Sequence, residues 1–487
     1  MILFIIIYKF YLNIKYNILI YKFNLCYNIL KNYVKVAERM KKSFVSLIAF
    51  SLMICILFSS CSSVSLIRPV GSLLAPPLYY PEYEELVEAF KQTAGADIQF
   101  CIPFEGDYDS AFVVENIDAD NNNEALIFSK DNKDSVAKMH LYDFENGKWN
   151  YVSDFTGYGN SVRNVYVRDL DNDAINELIV IWSTLGVQTG DIMSVYRKSP
   201  AEETFREIAN EGCLISAVLD IDSDNVNEIF YISTTTSGTA VQKSAKALRL
   251  SGDSVVIAGE TRLDPNISSY TSLKAEKTSE DSPMRIFVDA LKGERQMITE
   301  MIYWDSEKSA LVAPWIDKET LTNNITLRYE PVECADINND GKIDIPVQIE
   351  FATADSSHNV LESEKLYITA WINYEQDKAY IVSNTLINLE DGYIITLTQE
   401  EVNSIGVRVY KQKNCWVVYL ADENKSDDEA IFSVIKIDKN EWDEEKFDSY
   451  IPIAEKKDGV VCVFITETGK DLGINEETIR NKISKLP

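Results

Sequence analysis

Residues 169–180 read DLDNDAINELIV, and three other stretches fall into the same frame: NIDADNNNEALI (116–127), DIDSDNVNEIFY (220–231) and DINNDGKIDIPV (336–347). Positions one, three and five are Asp or Asn in all four, and position nine is Glu or Asp. An apolar run follows each: Ala125–Phe128, Leu178–Trp182, Ile229–Ile232 and Ile345–Ile349. Another precedes each: Phe112–Val114, Val165–Val167, Leu214–Leu219 and a weaker Val332–Ala335. Short apolar runs bounded by Asx-rich turns are strand signals. The unit is therefore strand, oxygen-rich loop, strand.

The units start 53, 51 and 116 residues apart. The last interval is twice the others, so a degenerate copy is expected near 280–305. There RIFVDALKGERQMITEMIYW (285–304) has strand-like ends but no alternating Asp. Repeats of this length with four short strands each are what β-propeller blades look like. The expected fold is mainly β: β-propeller-like repeats of four-stranded blades over 100–350, then a small α+β C-terminal domain over 351–487. Further degenerate blades are the alternative for that last part.

The loop pattern and its flanking strands resemble the FG-GAP or VCBS-type repeats of integrin-like propellers, over about half of the chain. As a whole the chain resembles repeat-containing bacterial lipoproteins. The resemblance implies a propeller fold with calcium in the loops, and it implies no particular reaction.

The residues themselves fit such an ion. Calcium takes six to eight oxygens at about 2.3–2.6 Å. Alternating Asp/Asn puts three side-chain oxygens inside a tight turn, and the acid at position nine adds one or two. The expected ligands are Asp169, Asp171, Asp173 and Glu177 in the second unit, and Asp220, Asp222, Asp224 and Glu228 in the third. These two loops, with four carboxylates each, rank first. Asn116, Asp118, Asp120 and Glu124 in the first unit, and Asp336, Asn338, Asp340 and Asp344 in the fourth, carry one fewer. Position six, where the family pattern has Gly, is Asn121, Ala174, Asn225 and Gly341. Ala174 tolerates a left-handed backbone poorly. Against calcium stands the reading of Asx-rich turns without metal.

Pro81–Phe90 has the pattern of one helix, with acids in its first turn, Leu86, Val87 and Phe90 on one face, and Gly95 as its end. Asn146-Gly147 and Asp391-Gly392 are hairpin turns. Beyond 350, strands are expected at Leu366–Ile372, Ala379–Val382, Tyr393–Leu397, Val407–Tyr410, Trp416–Leu420, Ile431–Ile437 and Val460–Ile465, with a closing helix over Glu476–Ile483.

Met40-Lys41-Lys42 precedes an apolar run from Phe44 to Phe58 and then Ser59-Ser60-Cys61. This is the layout of a secretory signal peptide (40–60), and its ending resembles a bacterial lipobox. Cys61 is the expected lipidation site, with a Ser/Gly/Pro tether over 61–80 and a lead-in with the short helix over 81–99. Phe58 departs from the Leu usual in that motif. An uncleaved anchor is the alternative; either way the chain is held at a membrane with its body on the extracytoplasmic face. Residues 1–39, rich in Ile, Tyr, Asn and Lys, read as translated upstream sequence with Met40 the start. Their rival reading is a second membrane segment.

Residues 1–60 carry a net charge of +7 against −29 for the whole chain, which leaves −36 on the rest. So acidic a body repels nucleic acid. Five scattered cysteines follow Cys61 with no CxxC pair, which argues against a zinc site and a disulfide framework. Only His140 and His358 are present, both in polar stretches, so His-dependent catalysis is thinly supplied. No catalytic motif was found. The leading expectation is a calcium-stabilised, non-catalytic binding or scaffold module at the cell surface, with a protein or glycan as ligand. The alternatives are an envelope enzyme acting on glycans with carboxylates in a propeller channel, and an envelope assembly or secretion helper.

Overall fold

The computed structural model describes residues 83–486 except 96–97, 132–135, 185–189, 199–203, 239, 278–281, 294–295, 352–365, 376–377, 411–413, 422–428 and 444. All of these belong to one unit, Leu66–Pro487. Cys61, the signal peptide, the tether, residues 1–39 and His358 lie outside the described residues.

The chain opens with helix α1 (Glu84–Ala94), ended by Gly95 at φ 86°. Six antiparallel sheets follow in chain order. The first holds β1 (Ile98–Phe100), β2 (Phe112–Glu115), β3 (Glu124–Asp131), β4 (Ala137–Glu145) and β5 (Lys148–Thr156), with β1 and β2 both pairing β3. The second is the meander β6 (Ser161–Arg168), β7 (Glu177–Ser183), β8 (Asp191–Lys198) and β9 (Phe205–Cys213). The third is β10 (Ile215–Leu219), β11 (Glu228–Ser237), β12 (Ala240–Ser251) and β13 (Ser254–Leu263). The fourth is β14 (Ile267–Glu276), β15 (Arg285–Lys292), β16 (Gln296–Asp305) and β17 (Ala310–Val312). The degenerate unit is thus a complete four-stranded sheet that has lost only its acidic loop.

The fifth sheet runs β18 (Ile345–Glu350), β19 (Tyr367–Glu375), β20 (Lys378–Asn388), β21 (Tyr393–Leu397). The sixth comprises β22 (Ile405–Tyr410), β23 (Cys415–Leu420), β24 (Glu429–Asp438), β25 (Tyr450–Glu455) and β26 (Gly459–Ile465), with β26 between β24 and β25. Short helices α2 (Glu401–Ser404), α3 (Glu467–Asp471) and α4 (Glu476–Lys482) accompany them, and β27 (Ile483–Lys485) returns to pair β21. No helix among the described residues is long and apolar enough to cross a membrane.

Two expectations need correction. The domain boundary placed at 350 falls inside the fifth sheet, because β18 ends there and pairs β19 beyond it. The strand expected at Val332–Ala335 is reduced to one bridge, Ala335 with Asp344. Its apolar side chains are spent elsewhere: Val332 packs on Trp371 and Ile387.

The second strand of each sheet explains how the sheets stack. All seven residues of β7 are buried, because alternate side chains serve opposite neighbours. Leu178, Val180 and Trp182 pack into a cluster with Leu126 and Phe128 of the first sheet. Ile179 and Ile181 join Ile229 and Tyr231 of the third. Phe230 and Ile232 then meet Ile286 and Val288 of the fourth, Phe287 meets Ile345 of the fifth, and Ile368 and Leu386 meet Val407 and Val434 of the sixth. The first sheet turns its other face, Ala125 and Ile127, to Leu86, Val87 and Phe90 of α1. Among the described residues no apolar cluster joins the first sheet to the sixth.

Candidate metal loops

The acidic loops join β2 to β3, β6 to β7 and β10 to β11, and in the fourth unit the loop precedes β18. Position two is apolar in all four, and Ile117, Leu170 and Ile221 are plugs between sheets, at most 1% exposed. The position-nine acid opens β3, β7 and β11 and immediately precedes β18, and it turns back to cap the loop. Its outer oxygen accepts the position-two amide in every copy: Glu124 Oε2 from Ile117 N (2.6 Å), Glu177 Oε2 from Leu170 N (2.9 Å), Glu228 Oε2 from Ile221 N (3.0 Å) and Asp344 Oδ2 from Ile337 N (3.2 Å).

Positions one and five work as local turn builders. Asp169 Oδ2 accepts the Ala174 amide at 2.9 Å, and Asp336 Oδ2 accepts that of Gly341 at 2.8 Å. Asp120, Asp173, Asp224 and Asp340 each accept the amide two residues on. The backbone turns left-handed at position six in three loops: Ala174 at φ 71°, Asn225 at 66° and Gly341 at 84°. Ala174 therefore adopts the conformation expected to be unfavourable for it, at about 1–2 kcal/mol. A second left-handed position, Ala119, Asn172, Ser223 and Asn339 at position four, recurs in all four loops. Asn121 does not take a positive φ, so the first loop is the looser copy.

Three loops bring carboxylate oxygens within 4.8 Å of one another: Asp118, Asp120 and Glu124; Asp169, Asp171 and Glu177; Asp220, Asp222 and Glu228. Burial pushes Glu124 and Glu177 up to about 7 and raises Glu228, which Arg249 pulls back. In the fourth unit burial likewise raises Asp344.

The loops differ in what stands beside position nine on the following strand, β4, β8, β12 or β19. In the second unit it is Arg197, only 5% exposed, whose guanidinium meets Glu177 Oε1 at 2.8 Å, Asp171 Oδ2 at 2.9 Å and Asp173 Oδ2 at 3.1 Å. In the third it is Arg249, at 2.5 Å from Glu228, 2.6 Å from Asp222 and 3.3 Å from Asp224. In the fourth, Asn373 donates to Asp344 Oδ1 at 3.2 Å. In the first it is a further acid, Asp143, paired in register with Glu124. The two loops that rank first by carboxylate count already hold an organic cation between their acids.

Sequence reading also passed over position eight. Asn176 donates its amide to the carbonyl of Asn116 in the preceding loop at 3.1 Å, and Asn227 does the same to Asp169 at 3.4 Å. Asn172 reaches forward to the Asn225 carbonyl at 3.1 Å. The first three loops are thereby laced into one belt. Asn at position eight in three of the four aligned stretches, 123, 176 and 227, was the available signal.

Acids outside the loops form a separate buried network. Asp264, Asp289 and Glu300 are fully buried. Asp264 takes Lys292 (2.7 Å) and the Asn323 amide (2.9 Å), Glu300 takes the Asp264 amide and the Asn323 side chain, and Asp289 takes Arg328. Burial pushes Glu300 up to about 7. His140, read from sequence as lying in a polar stretch, is buried beside Phe90 with Ser129 Oγ at 3.0 Å, and burial pulls it down to about 4. None of the five described cysteines forms a disulfide, and four of them are buried. A cavity of about 60 Å³ lies where the first strands of the second, third and fourth sheets meet, lined by Arg163, Tyr166, Ser216 and Tyr270 with Glu105 at its side.

No protein-family model matches the sequence, and no curated protein matches it. Among solved structures the chain is similar to a Bacillus licheniformis rhamnogalacturonan lyase PL11, at 11% identity and a TM-score of 0.28, covering 64% of this chain and 73% of that one. It is similar to the Dos1 propeller at 11% identity and 0.25, covering 64% and 65%. Chaetomium thermophilum Sqt1 gives 11% identity and 0.26, covering 72% and 93%. Likenesses this slight bear on neither fold nor activity.

Proposed function

We propose that this chain is a membrane-anchored surface lipoprotein acting as a non-catalytic binding or scaffold module, an open β-propeller-like stack with one edge stiffened by calcium. The observation that carries the reading is the laced belt of oxygen-lined loops. It repeats a metal-type turn in register along stacked sheets, and extracellular modules use such turns as structural calcium sites with dissociation constants of about 10⁻⁴–10⁻³ M. A rigid stack leaves its connecting loops free to carry recognition of a protein or glycan.

The alternative, a glycan-acting enzyme, would be favoured by clustered buried acids outside the loops. Such a cluster exists, but Asp264, Asp289 and Glu300 are each engaged by donors within their own sheet and the segment packed on it. The cavity beside Glu105, about 60 Å³, suits a few waters rather than a sugar, since ligand pockets run to about 300–1,000 Å³.

Calcium at ten times its dissociation constant is expected to stabilise the full chain by about 1.4 kcal/mol over EDTA. Paired melting curves check this, and superimposable curves at millimolar calcium would remove the metal from the proposal. Anchoring is tested by Cys61→Ala, which is expected to move the chain from the membrane fraction to the soluble one. Unchanged membrane retention would argue for the uncleaved anchor instead.

A further inference from the structure

Resting on the calcium reading, the geometry points to a division of labour among the loops. The first loop is a cation site completed by Asp143 of β4, and Arg197 and Arg249 are built-in cations that close the second and third loops to metal.

One register position decides this. The inner oxygen of the position-nine acid has a partner in three units: Arg197 on Glu177 Oε1, Arg249 on Glu228 Oε1 and Asn373 on Asp344 Oδ1. In the first unit Glu124 is 4% exposed and its Oε1 has no hydrogen-bond partner. Asp143 Oδ1, across the strand pair, is likewise buried and unpartnered. A buried carboxylate oxygen without a donor carries its desolvation cost uncompensated. The first unit has two such oxygens on register-paired acids with no guanidinium beside them, whereas the second and third units keep one each, Asp171 Oδ1 and Asp222 Oδ1, on acids that an arginine already pairs.

Nearby cations do not meet the need. Lys198 bonds Asp118 Oδ2 at 2.5 Å, which neutralises one of the four acids Asp118, Asp120, Glu124 and Asp143. Three carboxyl groups remain, with oxygen donors only, and that is the donor set of a hard divalent cation. In the second and third units a guanidinium supplies the positive charge permanently, and its fork fixes two or three carboxylates at once. An ion entering there would have to expel Arg197, which is buried, or Arg249, which is half-buried.

Calorimetric titration of calcium into the metal-free full chain tests the assignment through two variants. Asp143→Asn keeps the size of the side chain and is expected to remove one equivalent of bound calcium, or to weaken it at least tenfold. Arg249→Asp, at a position 32% exposed on its side chain, recreates the first unit's arrangement and is expected to add one equivalent. An Asp143→Asn isotherm that overlays the wild type overturns the first-loop assignment while leaving the calcium reading intact. A folded Arg249→Asp chain with unchanged stoichiometry overturns the guanidinium half. If wild type itself takes up no calcium, the calcium reading falls and this inference with it. Should Arg249→Asp not fold, the first variant still decides.

Discussion

Asp289→Asn is expected to destabilise the protein by about 3–5 kcal/mol, the cost of stranding a buried charge. Asp289 is fully buried and its partner Arg328 is 1% exposed. Oδ1 accepts from Arg328 Nη2 at 2.9 Å and Thr299 Oγ1 at 2.5 Å. Oδ2 accepts from Ser272 Oγ at 2.8 Å, the Cys334 amide at 2.9 Å and the Cys334 thiol at 3.0 Å. Burial, and then Asp289 itself, hold that thiol protonated, so it stays a donor. An asparagine amide would face these donors with an NH₂ of its own and leave the guanidinium without a counter-charge. Urea unfolding at neutral pH is the measurement. A loss under about 1 kcal/mol, the worth of one ordinary hydrogen bond, would mean that the network is not the hub its geometry describes.

Arg197→Ala is the second large effect. In EDTA it should cost about 3 kcal/mol, the lower end of the range for breaking a buried ion pair. Glu177 is fully buried, but the side chains of Asp171 and Asp173 are 25% and 30% exposed and keep some contact with water. Calcium should restore part of the loss, because removing the guanidinium leaves four carboxylates around an open turn. Denaturation with and without calcium reads both numbers. A variant as stable as wild type in EDTA would sink the ion-pair account. Equal losses in both conditions would show that the vacated turn cannot take a metal.

Much of the fold was legible because its signals are local. Tyr393–Leu397 was read at its observed bounds, and α1 shows its expected buried face of Leu86, Val87 and Phe90. Strands such as Val460–Ile465 and Trp416–Leu420 were short by one residue. The apolar runs were legible as strands, though not as strands covered on both faces, since period alone does not distinguish one neighbour from two. What escaped was long-range. Arg328 meets Asp289 39 residues away and Asn323 meets Asp264 59 residues away, with no repeat to announce either pair. The arginines opposite position nine were invisible for a related reason. Arg197 stands 20 residues after Glu177 and Arg249 stands 21 after Glu228, beyond the reach of any local pattern. Only strand register aligns them. Carboxylate counting ranked the loops by what they contain and could not see what a neighbouring strand had already put there.

Among the described residues each inner sheet packs on the one before and the one after it, and in a stack held by neighbour contacts the terminal units need caps. At the leading end α1 serves as a bookend, shielding Ala125 and Ile127. At the trailing end, β27 doubles back past the sixth sheet to grip the fifth, so the last sheet is held from behind.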